Sequence, residues 1–156
     1  IIRVLRKRWP VAKVVLLPVR VQGVEAPPEI AGALRYANKT GSRLFVPVAP
    51  LRSGPGRFTA ERRHDLWIDK GYCDTDSLTL HLPEGYVVEA LPKSVTIENR
   101  FGKIAFEALC SGDRLHIRIR LLRRSGRYPQ SEYAAFREFM QAVDRVYSAK
   151  IVLRKV

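Results

Sequence analysis

The chain has 156 residues, a length typical of one domain, and 46% of them are hydrophobic, so we expect a packed core rather than global disorder. The formal net charge of +13 suits nucleic acid, an anionic membrane or an acidic partner domain, or is simply that of a basic domain whose acidic counterpart lies elsewhere in the parent protein. No apolar run approaches the roughly 20 residues that span a bilayer. The chain opens on Ile1-Ile2 without a signal-peptide pattern, so we expect a domain taken from a longer protein.

Residues 1–43 are basic and rich in β-branched side chains, which predicts strands. These strands either join the sheet system that follows or close a preceding domain. Residues 11–21 fit one or two strands interrupted by a proline, because proline is confined to the edges and bulges of sheets. The Asn-Lys-Thr-Gly sequence of residues 38–41 predicts a hairpin turn between strands at 33–36 and 43–46.

Residues 44–156 are predicted to form a β-sandwich of the immunoglobulin or fibronectin type, with one amphipathic helix near the C-terminus. Short apolar segments that alternate with period two recur between turn residues. The predicted strands are residues 77–82, 86–89, 95–97, 104–106 and 115–121. In the charged segment that precedes these strands, Trp67 is expected to be the apolar anchor.

The strongest strand pattern is that of residues 115–121, which follow a turn at Ser111-Gly112-Asp113. Its leucine and isoleucine side chains fall on one face, and its histidine and arginine side chains fall on the other. This pattern predicts a strand that buries one face in the core and exposes the other to solvent.

The apolar period changes once, to helical spacing, over about residues 131–147. Ser131 is the expected N-cap, and Glu132 suits the positive end of the helix dipole. The apolar stripe consists of Tyr133, Phe136, Phe139, Met140, Val143, Val146 and Tyr147. We therefore expect a helix of about four turns lying on a sheet, followed by a last strand at 151–153.

A recurring signature accompanies these elements. It comprises Leu82-Pro83-Glu84-Gly85-Tyr86, Val88-Glu89, Leu91-Pro92, Val95-Thr96-Ile97, Tyr128-Pro129, Glu132-Tyr133, the helix residues Phe136, Arg137 and Phe139, and Ile151-Val152-Leu153-Arg154-Lys155. In this order the residues resemble the C-terminal domain-of-unknown-function family that follows a transglutaminase-like core in exported proteins of Bacteroides-type bacteria. The resemblance covers roughly residues 44–156. It implies a periplasmic or cell-surface location and a preceding core domain as partner, with the catalytic Cys, His and Asp in that core.

The cysteines and histidines show no spacing typical of a catalytic or metal site. Cys73 and Cys110 are either two inert thiols or one disulfide, and the latter would require an oxidising compartment. Neither cysteine opens a helix, whose N-terminus would lower a thiol pKa. His64, His81 and His116 are scattered along the chain. We therefore expect no catalytic residue, no metal and no cofactor in this chain.

A basic strand is the one feature that suggests a binding function. The candidate anion-binding residues are Arg114, His116, Arg118, Arg120, Arg123 and Arg124. The alternative is the solvated side of a half-buried sheet, where arginine also discourages edge pairing. Aromatic side chains are not interleaved with these arginines, so nucleic acid is not the expected partner.

The sequence therefore predicts a non-catalytic accessory domain of a larger exported transglutaminase-like hydrolase, acting in structural support or interaction. The alternative function is a polyanion-binding module that uses the basic strand to bind a glycan, a lipid headgroup or nucleic acid.

Overall fold

A computed structural model describes residues 3–8, 11–16, 38–50, 58–59 and 61–156 of the chain. Within these residues the fold is mostly β, with a single helix near the C-terminus, and this confirms the predicted fold class. The strands are β1 (Arg3–Arg8), β2 (Val11–Leu16), β3 (Asn38–Thr40), β4 (Arg43–Pro47), β5 (Leu66–Ile68), β6 (Tyr72–His81), β7 (Tyr86–Ala90), β8 (Val95–Asn99), β9 (Gly102–Ser111), β10 (Arg114–Arg123), β11 (Gly126–Tyr128) and β12 (Lys150–Lys155). The helix, α1, is Tyr133–Ser148, and a 3₁₀ turn at Gln130–Glu132 precedes it.

Six antiparallel strands form the main sheet, in the order β2-β1-β6-β10-β9-β8. Its centre is β10, which pairs along its whole length with β6 on one side and β9 on the other. The N-terminal strand β1 adds to β6 through the pairs Lys7 with Thr75 and Arg8 with Asp74. The strands of residues 3–8 and 11–16 are therefore continuous with the main sheet.

Four antiparallel strands form the second sheet, in the order β3-β4-β12-β7. The pairing of β12 with β7 shifts by one residue, because Val152 lies opposite Ala90 while Leu153 lies opposite Val88. Glu89 is thus an extra, bulged residue on β7. Its carboxylate reaches Arg43 on β4 and accepts two hydrogen bonds from the guanidinium, at 2.5 and 2.7 Å.

One hydrophobic core joins the main sheet, the second sheet and α1. The main sheet contributes alternate side chains of β6, β9 and β10, while the second sheet contributes buried residues of β4 and β12. The apolar stripe of α1 is buried as the helical spacing predicts, and Ile151 follows it as a fully buried residue of β12. The two sheets with this shared core make a sandwich in which the helix takes part.

Phe101 connects several elements at one end of the core. It lies in the β8–β9 turn, is 1% exposed, and makes edge-to-face ring contacts with Tyr128 at 4.8 Å and Phe136 at 5.5 Å between centroids. These two residues belong to β11 and α1. The strands β5 and β11 pair antiparallel as a separate two-stranded sheet, here called the β5–β11 ribbon. A turn of the main sheet, this ribbon and the helix therefore meet at one aromatic ring.

The helix start differs from the prediction. Ser131 lies within the 3₁₀ turn, and no side chain caps α1. Asp65 instead accepts a hydrogen bond of 3.0 Å from the backbone N–H of Gln130, and the Gln130 side-chain amide donates to the Arg62 carbonyl at 2.8 Å. A residue distant in sequence thus satisfies a donor that local capping was expected to satisfy.

Trp67 is not an apolar anchor, because 63% of it is exposed. The strand β5 is so short that its alternation buries only the two flanking residues, Leu66 and Ile68. Trp67 points to solvent, where the guanidinium of Arg127, its partner on β11, lies 5.1 Å from its ring centroid. The predicted 38–41 turn is also shifted, since Asn38–Thr40 is strand and the turn begins at Gly41, with φ at +59°. The strand predicted at residues 33–36 falls outside the described residues.

Candidate functional site

The solvent-facing side of the main sheet, here called the outward face, is the candidate site. Along β10 the burial alternates strictly from Arg114 to Leu121, with the leucine and isoleucine side chains buried and the polar ones exposed. This alternation confirms the two-faced strand that the sequence predicts. Residues directly opposite each other in an antiparallel pair share a face, so the register of β10 identifies the outward residues of β6 and β9 as well.

A shallow depression of about 230 Å³ lies at the centre of the outward face. In the register, Arg118 lies opposite Ser77, and His116 lies opposite Thr79. The Thr79 hydroxyl is 3.1 Å from Nδ1 of His116, so this pair is hydrogen-bonded. The depression thus brings together a guanidinium, an imidazole and two hydroxyl groups.

On its other side the depression is bordered by β9. Glu107 lies opposite Arg118, and Leu109, which is 68% exposed, lies opposite His116. Despite their cross-strand position, Glu107 and Arg118 do not form an ion pair within 4.0 Å, and neither has another ion-pair partner among the described residues. Within the described part of the chain, a ligand would therefore have no ion pair of Arg118 to displace.

Two of the predicted anion-binding residues serve the fold instead. Arg124 donates to the backbone carbonyl of Asn99 and, at 2.9 Å, to the carboxylate of Glu98. Arg123 is half-buried, with its guanidinium 5.6 Å from the ring centroid of Tyr72. The anion-binding surface predicted from the sequence therefore shrinks to Arg114, His116, Arg118 and Arg120, which are all exposed on the outward face.

The described cations that do have carboxylate partners form surface pairs away from the depression. Hydrogen bonding to Arg43 lowers the pKa of the Glu89 carboxyl. Hydrogen bonds from Lys103 and then Arg124 lower the pKa of the Glu98 carboxyl. Arg100 pairs with Glu132 at 2.6 Å. These carboxylates are therefore already neutralised, whereas Arg114, Arg118 and Arg120 have no such partner among residues that the structure describes.

Of the two states left open for Cys73 and Cys110, the structure has two free thiols and no disulfide between them. Cys73 lies opposite Leu122 of β10, and Cys110 lies opposite Leu115, seven positions away on the same strand. At about 3.3 Å per residue this separates the cysteines by roughly 23 Å along the sheet. A disulfide requires Cα atoms within about 7 Å. Both thiols are free, Cys110 exposed and Cys73 half-buried.

The histidines do not join the thiols in one site. His81 lies opposite Arg114, on the outward face, and its Nδ1 is 3.6 Å from the Asp113 carboxylate. Cys110 lines a separate depression of about 500 Å³, formed with residues 82–88, Gly112 and Asp113. No group of three or more His, Cys, Asp and Glu side chains in the described part of the chain is placed to share a metal ion.

No helix within the described ranges has both the length and the apolarity needed to cross a bilayer.

The residues of the candidate site that the sequence did not reveal are Ser77 and Thr79. Their position on the polar side of a strand was visible in the sequence, because residues 77–81 alternate between polar and apolar side chains as residues 114–120 do. Only the strand register, however, places Ser77 opposite Arg118 and Thr79 opposite His116.

Short segments of the chain match two curated proteins. It is 54% identical over 41 residues to the exodeoxyribonuclease 7 large subunit of Desulforudis audaxviator, which covers 26% of this chain and 10% of that protein. It is 57% identical over 37 residues to the subunit of the same name from Halalkalibacterium halodurans, covering 24% of this chain and 8% of that protein. The chain thus spans about a tenth of the length of the curated relatives it matches.

The fold has a counterpart among solved structures. The crystal structure of a "putative protease" from Parabacteroides distasonis aligns with a TM-score of 0.55 and 12% sequence identity, over 63% of this chain and 19% of that one. At this identity the likeness concerns the fold alone. The model of a family described as a domain of unknown function with solved structure, DUF3858, matches residues 42–153. The resemblance predicted for residues 44–156 lies over the same part of the sequence, and this chain belongs to the DUF3858 family of domains of unknown function.

Proposed function

We propose that this domain is a non-catalytic accessory part of a larger, exported hydrolase with a transglutaminase-like core, which it supports or positions. The observation that carries the proposal is the recurrence of the fold as about a fifth of a much longer Parabacteroides chain described as a protease. Domains of one chain commonly divide the work, with the chemistry in one and binding or support in another. The signature at Leu82–Tyr86 and the other motif residues support the same context by resemblance.

The placement of the thiols supports a non-catalytic role. A cysteine nucleophile requires a base within hydrogen-bonding reach and a lowered thiol pKa. Among the described residues, no imidazole is hydrogen-bonded to the Cys110 thiol. The thiol instead donates to the Gly112 carbonyl oxygen, with 3.7 Å between Sγ and O. Nδ1 of His116 is hydrogen-bonded to the Thr79 hydroxyl, and His81 lies beside Asp113 on the outward face. The contacts of these two imidazoles are thus with residues other than Cys110.

The proposal is tested first by activity. The 156-residue chain is incubated with fluorogenic peptides and, separately, with a glutamine-containing protein and a labelled primary amine. We expect no hydrolysis and no amine incorporation above the buffer rate. Hydrolysis or cross-linking that disappears in Cys73→Ala or Cys110→Ala would overturn the proposal, whereas activity unchanged in both variants would identify a contaminant.

The context is tested by the coding sequence that precedes Ile1 in the genome of origin. We expect a core domain with a cysteine at a helix start, followed by a histidine and an aspartate on strands, because that arrangement activates a thiol. An upstream sequence without such a core would contradict the transglutaminase-like setting. An export signal at the start of the same reading frame is the corresponding expectation for location.

A further inference from the structure

We infer that the depression on the outward face is a binding site for a phosphate or sulfate ester group, built from Ser77, Thr79, His116 and Arg118. The site goes beyond the accessory role proposed above and does not depend on it, since it requires neither a parent enzyme nor a core domain. Its ligand class follows from the groups that line it, from the charges around it and from what the outward face lacks.

The donors converge because of the register. Arg118 with Ser77 and His116 with Thr79 are direct cross-strand pairs, two residues apart on each strand. Consecutive residues on one face are about 6.6 Å apart along a strand, so the four side chains surround one small area. A tetrahedral oxyanion accepts several hydrogen bonds at once, and a guanidinium with adjacent hydroxyls supplies donors from different directions.

The charge is available. Arg43, Arg100 and Arg124 have carboxylate partners, and each pair links parts of the fold. Arg118 has no such partner among the described residues, although Glu107 lies opposite it in the register. A guanidinium at the centre of a sheet with no ion-pair partner among the described residues fits the binding of an external anion.

The charge also extends along the strand. Arg114 and Arg120 are exposed on the outward face on either side of the depression, with no acid paired to either in the described structure. They lie about 13 Å and about 6.6 Å from Arg118 along β10, at the strand repeat. A ligand that carries several ester groups would therefore gain contacts along the strand, so we assign the site to an ester borne on a polysaccharide rather than to a free ion.

The outward face lacks the features that favour nucleic acid. None of its described residues on β6, β8, β9 and β10 is Phe, Tyr or Trp, so the imidazoles of His81 and His116 are the only rings there on which a base could stack. Stacking on aromatic side chains supplies much of the affinity for single strands. The hydroxyl groups of Ser77 and Thr79 are suited to the polar surface of a sugar polymer, to which they can donate or from which they can accept.

The test uses the 156-residue chain labelled with ¹⁵N. Its amide resonances are followed during titration with sodium sulfate, sodium phosphate and a heparin tetrasaccharide, and heparin affinity is measured by calorimetry at low salt. We expect the amides of Ser77, Thr79, His116 and Arg118 to shift, and we expect heparin to bind at least about tenfold more tightly than either free ion, because several guanidinium contacts form together.

Two variants remove the site and one improves it. Arg118→Glu is expected to weaken heparin binding by roughly tenfold or more, since it deletes a charge-assisted hydrogen bond and adds repulsion. Thr79→Val keeps the β-branched shape of the side chain and the net charge of the protein. A weaker heparin affinity in this variant would therefore result from the lost hydroxyl group and not from a change in electrostatic attraction. Glu107→Gln removes the carboxylate that lines the depression beside Arg118, and we expect it to tighten binding roughly two- to fivefold.

Arg145→Glu is the matched control, because Arg145 is exposed on α1 and the variant makes the same change in net charge. A loss of affinity confined to Arg118→Glu and Thr79→Val, with a gain in Glu107→Gln, supports the site. If sulfate or phosphate shifts the same amides and heparin binds no more tightly, the oxyanion chemistry stands and the polysaccharide source is overturned. Equal losses in Arg145→Glu and Arg118→Glu would overturn the site in favour of diffuse charge. Tighter binding of a DNA oligonucleotide of equal charge would overturn it in favour of nucleic acid.

Discussion

Replacing Phe101 by alanine tests whether the main sheet, the β5–β11 ribbon and the helix unfold as one unit. Phe101 is 1% exposed and forms edge-to-face contacts with Tyr128 and Phe136. Truncating a buried phenylalanine costs about 3–5 kcal/mol of unfolding free energy, because apolar transfer energy is lost and a cavity remains. The two ring contacts, at about 0.5–1.5 kcal/mol each, are part of that loss and place it toward the upper end.

The loss is measured by urea unfolding followed by far-ultraviolet circular dichroism. For a domain of this size, about 3–5 kcal/mol corresponds to a decrease in Tm of about 6–20 °C. Leu109→Ala is the control, because Leu109 is a large apolar residue of β9 that is 68% exposed, and its truncation should cost no more than about 0.5 kcal/mol of unfolding free energy. The variant and the parent should show the same dependence on urea concentration.

A loss below about 1 kcal/mol in Phe101→Ala would refute the reasoning, since a tightly packed ring cannot be removed so cheaply. A separate early transition of the helix would refute it in another way. It would mean that α1 and the main sheet are not cooperative, despite the Phe101–Phe136 contact.

Further predictions follow from other contacts. A Cβ at Gly102 would lie 2.0 Å from the Leu122 carbonyl oxygen, so Gly102→Ala should destabilise the fold by at least about 1–3 kcal/mol, measured in the same urea assay. Both cysteine thiols should react with a thiol reagent in the native protein, the exposed one faster, and reducing agent should leave Tm unchanged; a slower-reacting, reduction-sensitive protein would contradict the register. The pKa values of Glu89 and Glu98 are lower in the folded protein than in the unfolded chain. The stability that these carboxylates contribute is therefore fully present above the unfolded-state pKa, and it is lost as the pH falls through the folded-state pKa. Tm should therefore decrease below about pH 4.5, and less steeply in the Glu89→Gln, Glu98→Gln double variant.

The alternating strands and the helix were predictable because each buries one face, so that apolar residues recur in the sequence with the period of the strand or the helix. The pattern of residues 115–121 predicts both faces of β10, and the three-and-four spacing predicts the buried stripe of α1. Short elements carry too little pattern for the same reasoning. In β5, with three residues, a tryptophan suggests burial by its size, yet the alternation places Trp67 outside.

Contacts between distant residues were not predictable from the sequence. Asp65 accepts a hydrogen bond from the backbone N–H of Gln130, 65 residues away in sequence. Nothing in the local sequence indicates this contact, so Ser131 was the N-cap that local reasoning selected. The same limit applies to the candidate site. Arg118 and His116 could be named from one strand, but Ser77 and Thr79 join them only through the register of β6 with β10. The register likewise separates Cys73 from Cys110, which composition alone allowed to pair.

The bulge at Glu89 has a consequence for self-association. Among the described strands β7 lies at an edge of the second sheet, and Val87, 40% exposed, lies on it. A regular exposed edge of this kind can template pairing with a second molecule, which is the first step of aggregation. The extra residue interrupts the regular ladder and increases the twist of the strand. We therefore expect the bulge to make this edge a poorer template for a strand of a neighbouring molecule.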